Sequence, residues 1–444
     1  MLRRFGRTAL WLFAFVALVV VAYLVLLIPR YEKYRKTDVS ISLDLPSLAA
    51  FAYPTAYSVG DSVRLFVHAD RPYTARVYRV GSVGYKEVAG FVGEARQQDA
   101  LFNLKSGHDW GLTHSLPTTA WEPGFYLIHL VQENSEVVSV PVVVRARGGN
   151  RVLVVAPTNT WQAYNGYGGK SNYRDRVTPP DMRALFEVLE RVSPGLVPYT
   201  YLPTQRPLAH PFSWVPIDSL ASLANDKVAS DLYLINYLES IDVEYGVISD
   251  AEFARSADTL QPKLVLFNNH SEYWSYEGMG RLKALLATGT NVAFLSGNNM
   301  YREVEVTNHG ALIVMEKTLP RATIEPLLGT FYSQSGYQTY GSFRVMESDH
   351  WVFKGTNLAD GDTFGNNIIS GLETDKLGPY SEGFSLLAIG DNEGGPAHMV
   401  IKEYPNGNFL FNSSSISSVR ALRSDTSWRR IVQNLVERAT TGEP

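Results

Sequence analysis

Cysteine is absent from the 444 residues, which excludes disulfides, thiolate-held zinc, iron–sulfur clusters and a thiol nucleophile. An excess of basic charge is missing too. The chain sets 40 Lys and Arg against 44 Asp and Glu, a net −4, so there is no basic footprint and no nucleic acid partner is expected. There is no phosphate-binding loop. The glycines in Asn165-Gly166-Tyr167-Gly168-Gly169 do not make G-x-G-x-x-G, which leaves no dinucleotide signature. No repeat or low-complexity segment is evident. What is present is an aromatic-rich chain, 45% hydrophobic and with 25 Tyr, too long for one ordinary domain and able to fill sizeable cores.

One long hydrophobic run does occur. Ala9 to Pro29 carries no charge, and as a helix it has the length to cross about 30 Å of hydrocarbon. It ends in Ile28-Pro29-Arg30-Tyr31 without a small-residue cleavage site, which favours a retained anchor over a signal peptide. The expectation is a cytoplasmic N-terminus (1–8), a transmembrane helix (9–29) and a polar juxtamembrane tether (30–47). The folded domains would then be extracytoplasmic, in the cell envelope.

From residue 48 to 148 short alternating runs such as Ser62–His68, Ala75–Val80, Gly124–Val131 and Val137–Val144 are separated by turn residues, a pattern that predicts an antiparallel β-sandwich. Gly148-Gly149-Asn150 marks a boundary. Beyond it, over 150–442, runs of buried-strand type (Arg151–Ala156, Asp231–Asn236, Lys263–Asn268, Asn291–Gly297) alternate with helical ones (Met182–Arg191, Lys283–Thr288). The fold class expected is therefore α/β plus β: an N-terminal transmembrane helix, the sandwich, then a mostly parallel-sheet three-layer α/β domain. Met399–Tyr404 and Gly407–Asn412 read as a late hairpin, and Trp428–Ala439 as a closing amphipathic helix.

Chemistry concentrates at the carboxyl ends of three of these runs. Phe267 to Ser275 reads F-N-N-H-S-E-Y-W-S; His270 and Glu272, two apart, face one way if the extended geometry persists. The simpler alternative is a polar loop leading to a helix capped by Ser275. The first strand ends in Pro157–Tyr173, P-T-N-T-W-Q-A-Y-N-G-Y-G-G-K-S-N-Y, and the strand at Asn291 ends in Leu295-Ser296-Gly297-Asn298-Asn299. In an open α/β sheet such ends converge on one crevice. Phenols and carboxylates are hard donors suited to a hard cation, although any single tyrosine is more often a half-buried ring bonded to backbone.

The pieces T-N-T-W-Q-A-Y-N-G-Y-G-G-K-S-N-Y, N-H-S-E-Y-W-S, F-L-S-G-N-N and G-L-E-T-D (Gly371–Asp375) resemble the large (beta) subunit of N,N-dimethylformamidase and its relatives. Upstream, Y-S-V-G-D-S-V-R-L-F-V, V-Y-R-V-G and W-E-P-G-F-Y are similar to that family's β-rich region. The α/β part is also similar to the glutamine-amidotransferase-like fold, whose nucleophilic cysteine this chain cannot supply. The resemblance implies a mononuclear iron (Fe3+) held by two tyrosines and one glutamate, and hydrolysis of a small amide. It carries over to Glu272, Tyr164 and Tyr201 as metal ligands, with Tyr199 competing for the second tyrosine position. His270 and Asn298 fall on catalytic or substrate-contacting positions, and Glu373 is the more distant acid–base candidate. The expectation is a membrane-anchored metal-dependent hydrolase of amide C–N bonds acting on a small-molecule amide, with no nucleic acid partner and the oligomeric state left open. The alternative is a noncatalytic envelope protein that binds a glycan or a protein.

Overall fold

The structure is a computed structural model and describes residues 2–35, 39–82, 84–133, 137–145, 151–192, 200–209, 227–255, 260–307 and 312–442. The expected boundary at Gly148-Gly149-Asn150 and the competing Tyr199 lie outside the described residues. The strands expected in the first part of the chain are present as Ser62–Ala69, Tyr73–Gly81, Gly124–Gln132 and Val137–Arg145. They belong to a three-stranded and a five-stranded sheet that share one apolar core, filled by Leu65, Val67, Val77, Ile128 and Val142. The five-stranded sheet is not wholly antiparallel, because Ala56–Ser58 runs parallel to Val137–Arg145.

A nine-stranded sheet organises the rest. Four neighbouring pairings are parallel, joining Tyr245–Ser249, Val152–Ala156, Leu264–Asn269, Asn291–Ser296 and Phe409–Asn412 in that order. The next four, through His398–Glu403, Ser385–Gly390, Phe343–Val345 and Thr363–Phe364, are antiparallel. The sheet is therefore mixed, and the expectation of a mostly parallel one is corrected. The physical cause is connectivity: crossover segments build one half, whereas the other includes direct reversals, as where Pro405 and Asn406 turn the chain between His398–Glu403 and Phe409–Asn412. Strand side chains alternate between faces. Leu264, Leu266, Ala293 and Leu295 thus enter one core, whereas Val265, Phe267, Val292 and Phe294 enter another. A strand buried on both faces keeps a continuous apolar run, which is why these runs were readable.

Two further expectations fall. Asp231–Asn236 is not a strand but part of the helix Lys227–Ser240; Leu232, Leu234, Ile235 and Leu238 are all buried, and a helix buried all round loses the period that would distinguish it. The N-terminal helix runs over Leu2–Arg35, yet among the described residues no helix is long and apolar enough to cross a membrane. The apolar stretch is carried within a helix that is basic at both ends, and its far end meets the folded part. There Arg30 Nη1 lies 2.7 Å from Asp181 and Leu27 is buried. The single-pass anchor, and the extracytoplasmic placement deduced from it, are not supported. Within the expected tether, Ser40–Ser42 is a strand paired with Leu101–Asn103.

Candidate functional site

The strand Leu264–Asn269 ends in a residue of positive φ, Asn269 at 55°, an excursion that Asn tolerates better than most residues. The reversal releases His270, Ser271 and Glu272 from the ladder while the neighbouring strand end keeps hold of their backbone. Met300 N donates to Ser271 O at 2.9 Å and Arg302 N to Glu272 O at 3.0 Å. Trp274 Nε1 closes the turn on Ser271 O at 2.9 Å. Ser275 then caps the helix Tyr276–Ala287 through Gly278 N. The two side chains meet: His270 Nε2 stands 3.2 Å from Glu272 Oε2, and both residues are all but inaccessible, at 1% and 2% exposure.

Glu373 arrives from the other half of the sheet. Its Oε2 lies 3.3 Å from the same His270 nitrogen and accepts from Asn298 Nδ2 at 2.7 Å. Asn298 follows Asn291–Ser296 at a φ of 51°, and its Oδ1 is buried with no hydrogen-bond partner among the described residues. Asp375 fixes this strand end, accepting from Asn298 N at 2.8 Å and from Asn299 N and Nδ2 at 3.3 and 3.1 Å. Burial pushes its carboxyl up to about 6 against the lowering effect of those bonds. Gly297 permits the approach, because a Cβ there would lie 2.8 Å from Glu373 O.

Phenols supply the third side. Tyr164, at the end of the helix Thr158–Tyr164, donates to Glu272 Oε2 at 3.0 Å. Tyr173 donates to Glu272 Oε1 at 3.0 Å, and its hydroxyl lies 2.7 Å from that of Tyr273, to which Asn172 Nδ2 also donates at 2.8 Å. Burial, reinforced by the Glu272 charge, holds the Tyr164, Tyr173 and Tyr273 phenols above their ordinary range. With no cation beside them, all three therefore carry their protons at neutral pH. Tyr332, opposite Asp375 in the ladder, is raised by burial and then by Glu373.

Five of the six residues singled out in the sequence thus come together: Tyr164, His270, Glu272, Asn298 and Glu373. Tyr201 does not join them. It sits on the strand Thr200–Leu202 with Lys105 Nζ 5.8 Å from its ring centre. Tyr173, Tyr273 and Tyr332 were not singled out, although Tyr173 closes the polar loop already noted and Tyr273 adjoins Glu272 in H-S-E-Y-W. Side-chain atoms of His270, Glu272 and Glu373 all lie within 4.8 Å of one another, close enough to share a metal ion. The donor set fits a hard cation: two buried carboxylates face one imidazole, phenols adjoin them, and the Asn298 carbonyl has no donor among the described residues.

Buried carboxylates thus share an imidazole, ringed by phenols at the strand ends of a mixed sheet. The chain belongs to the family described as N,N-dimethylformamidase beta subunit-like, C-terminal, whose model matches residues 74–430. That membership supports a hydrolase acting on an amide. No curated protein matches the chain. Among solved structures, a Paenibacillus sp. cycloisomaltooligosaccharide glucanotransferase complexed with cycloisomaltoheptaose is 9% identical. The match covers 67% of this chain and 61% of that one, with a TM-score of 0.18, and carries no argument.

Proposed function

We propose that the chain hydrolyses the C–N bond of a small amide at this cluster, with Glu272, Tyr164 and Tyr173 as the oxygen donors for one hard cation of the iron(III) type. The observation that carries the reading is the single His270 nitrogen placed 3.2 and 3.3 Å from two buried carboxylates, one of which is also held by two phenols. Tyr173 takes the place that the family resemblance gave to Tyr201.

A bound iron would polarise the amide carbonyl and ease ionisation of water. The chain's own groups handle the protons. His270 takes one from the water that adds to the carbonyl carbon, and Glu373 and Glu272 stabilise the imidazolium so formed. As the C–N bond breaks, His270 returns the proton to the departing nitrogen, leaving an amine and a carboxylic acid. Asn298 Nδ2 fixes the rotamer of Glu373, and its buried Oδ1 is an acceptor for a donor on water or substrate.

Metal analysis and a visible spectrum of the full chain purified without chelator, with a screen of small amides, test this reading. About one iron per chain is expected, with a phenolate-to-iron band weakened in Tyr164→Phe and in Tyr173→Phe and lost when both are replaced. Glu272→Gln should lose metal and turnover while remaining folded. Full metal content in Glu272→Gln would overturn the ligand assignment; a folded wild type without metal or turnover would restore the binding-protein alternative.

A further inference from the structure

Away from the carboxylates, Arg206 is 1% exposed and, among the described residues, no carboxylate oxygen lies within salt-bridge distance of it. Burial alone lowers its guanidinium, to about 9. Its donors go to main-chain and amide oxygens. Nη1 reaches Tyr167 O and Lys170 O, both at 2.9 Å, Nη2 reaches Gln162 O at 2.9 Å, and Nε makes a long 3.5 Å contact with Gln162 Oε1. A guanidinium has five N–H groups. These four bonds leave one on Nη2 without a protein acceptor among the described residues.

A half-open pocket with about 20 Å³ of room adjoins it, lined by Arg206 with Phe51, Ser139, Val140, Trp161 and Thr204 among others. That is room for one water-sized occupant. Among the described residues no acidic side chain lines it. The polar wall is already committed in part, since Ser139 Oγ is bonded to His129 Nδ1 at 2.9 Å and Trp161 Nε1 donates to Asp231 at 2.7 Å. A buried cation is costly unless it is paired. Here the space beside it is small and apolar on several sides, and none of the described residues that line it carries a negative charge.

We propose that this cavity binds one small monoatomic anion of the halide class, chloride in ordinary buffers, as the counter-charge of Arg206. The occupant acts on the candidate site at a distance. Arg206 clamps the carbonyls of Gln162, Tyr167 and Lys170, and Tyr164 and Tyr173 stand within and just beyond that stretch. Neutralising the guanidinium therefore steadies the segment that presents both phenols to Glu272. The inference needs no assumption about metal or substrate, so it stands or falls separately from the amidase reading.

The test uses the wild-type chain. Its melting temperature is followed as sodium gluconate is replaced by sodium chloride or bromide at constant ionic strength, and crystals grown in bromide are examined for anomalous scattering. The expected result is a saturating rise of about 2 °C by ~0.1 M halide and a bromide peak beside the Arg206 guanidinium. Arg206→Gln, which keeps amide donors but no charge, should abolish both. If that variant does not fold, the wild-type crystal decides the matter. Water density in the cavity with no anomalous peak, or a thermal rise whose bromide peak lies elsewhere, would overturn the proposal.

Discussion

Gly297→Ala tests whether the strand-end geometry sets the candidate site. A Cβ at this position would lie 2.6 Å from Ile416 N and 2.8 Å from both Glu373 O and Ser415 C, against ordinary contact from 3.4 Å. All three are backbone atoms, tied by Ile416 N to Glu373 O at 3.3 Å and Ser415 N to Ser296 O at 3.0 Å. No flexible side chain can give way, so the segment must retreat by about 0.6–0.8 Å, the difference between those separations and 3.4 Å. Forcing a methyl into such a joint costs roughly 1–3 kcal/mol. The retreat carries Glu373 with it, and its 3.3 Å approach to His270 would open to about 4 Å. A misplacement of that order lowers turnover by up to ~100-fold. Urea denaturation gives the first number, and hydrolysis of whichever small amide the wild type turns over gives the second. A stability within about 0.5 kcal/mol of wild type together with unchanged turnover would refute the reasoning.

Tyr173→Phe removes the phenol shared by Glu272 and Tyr273 and should cost about 1–3 kcal/mol in denaturant unfolding; no change would mean that the loop does not hold this position. Tyr201→Phe should leave metal content and any visible band at wild-type values, and their loss would restore Tyr201 as a ligand. Asp250 accepts from Thr158 Oγ1 at 2.6 Å and Asn159 N at 3.0 Å, and burial pushes its carboxyl up to about 7 from 3.8. The folded state therefore binds more protons than the unfolded one between those values, and this group's contribution to stability falls as pH rises from about 4 to about 7. The residue keeps some water contact, which trims a ceiling near 4 kcal/mol to about 2. Asp250→Asn should flatten the pH profile by that amount, and an unaltered slope would count against it. Trp428→Ala, at a fully buried site between Phe364 and Phe411, should cost about 3–5 kcal/mol, measured by the same denaturation.

Local elements were legible where periodicity and turn residues agreed, as in Gly124–Gln132 and in the closing helix Thr426–Thr441. They failed at Asp231–Asn236, whose run D-L-Y-L-I-N holds four consecutive apolar residues and gives no period to read. The direction of the later strands was also hidden, because parallel and antiparallel neighbours can present the same buried run when both faces are covered. The His270 and Glu272 pair followed from a two-residue spacing at a strand end, and the structure places the two 3.2 Å apart. Glu373 came only through the family resemblance, since it lies far along the chain. Tyr173 was missed because nothing local distinguishes it from the other tyrosines in its loop. The long apolar stretch near the N-terminus misled for a related reason: hydropathy alone does not register the Asp181 carboxylate that meets Arg30.

The loop that presents Tyr173 leans on the β-rich part of the chain. Gly168, at a φ of 76°, packs so closely that a Cβ there would fall 2.2 Å from Phe102 Cε1, and His108 Nε2 lies 3.1 Å from Tyr167 Oη. The β-rich front part of the molecule is thus a buttress for the chemistry of the rear part. Deletion of the first 150 residues, or a graft of the rear portion onto another carrier, would remove the wall behind the tyrosine loop. Trimmed expression fragments and chimeras should therefore fail at the site before they fail in the main sheet.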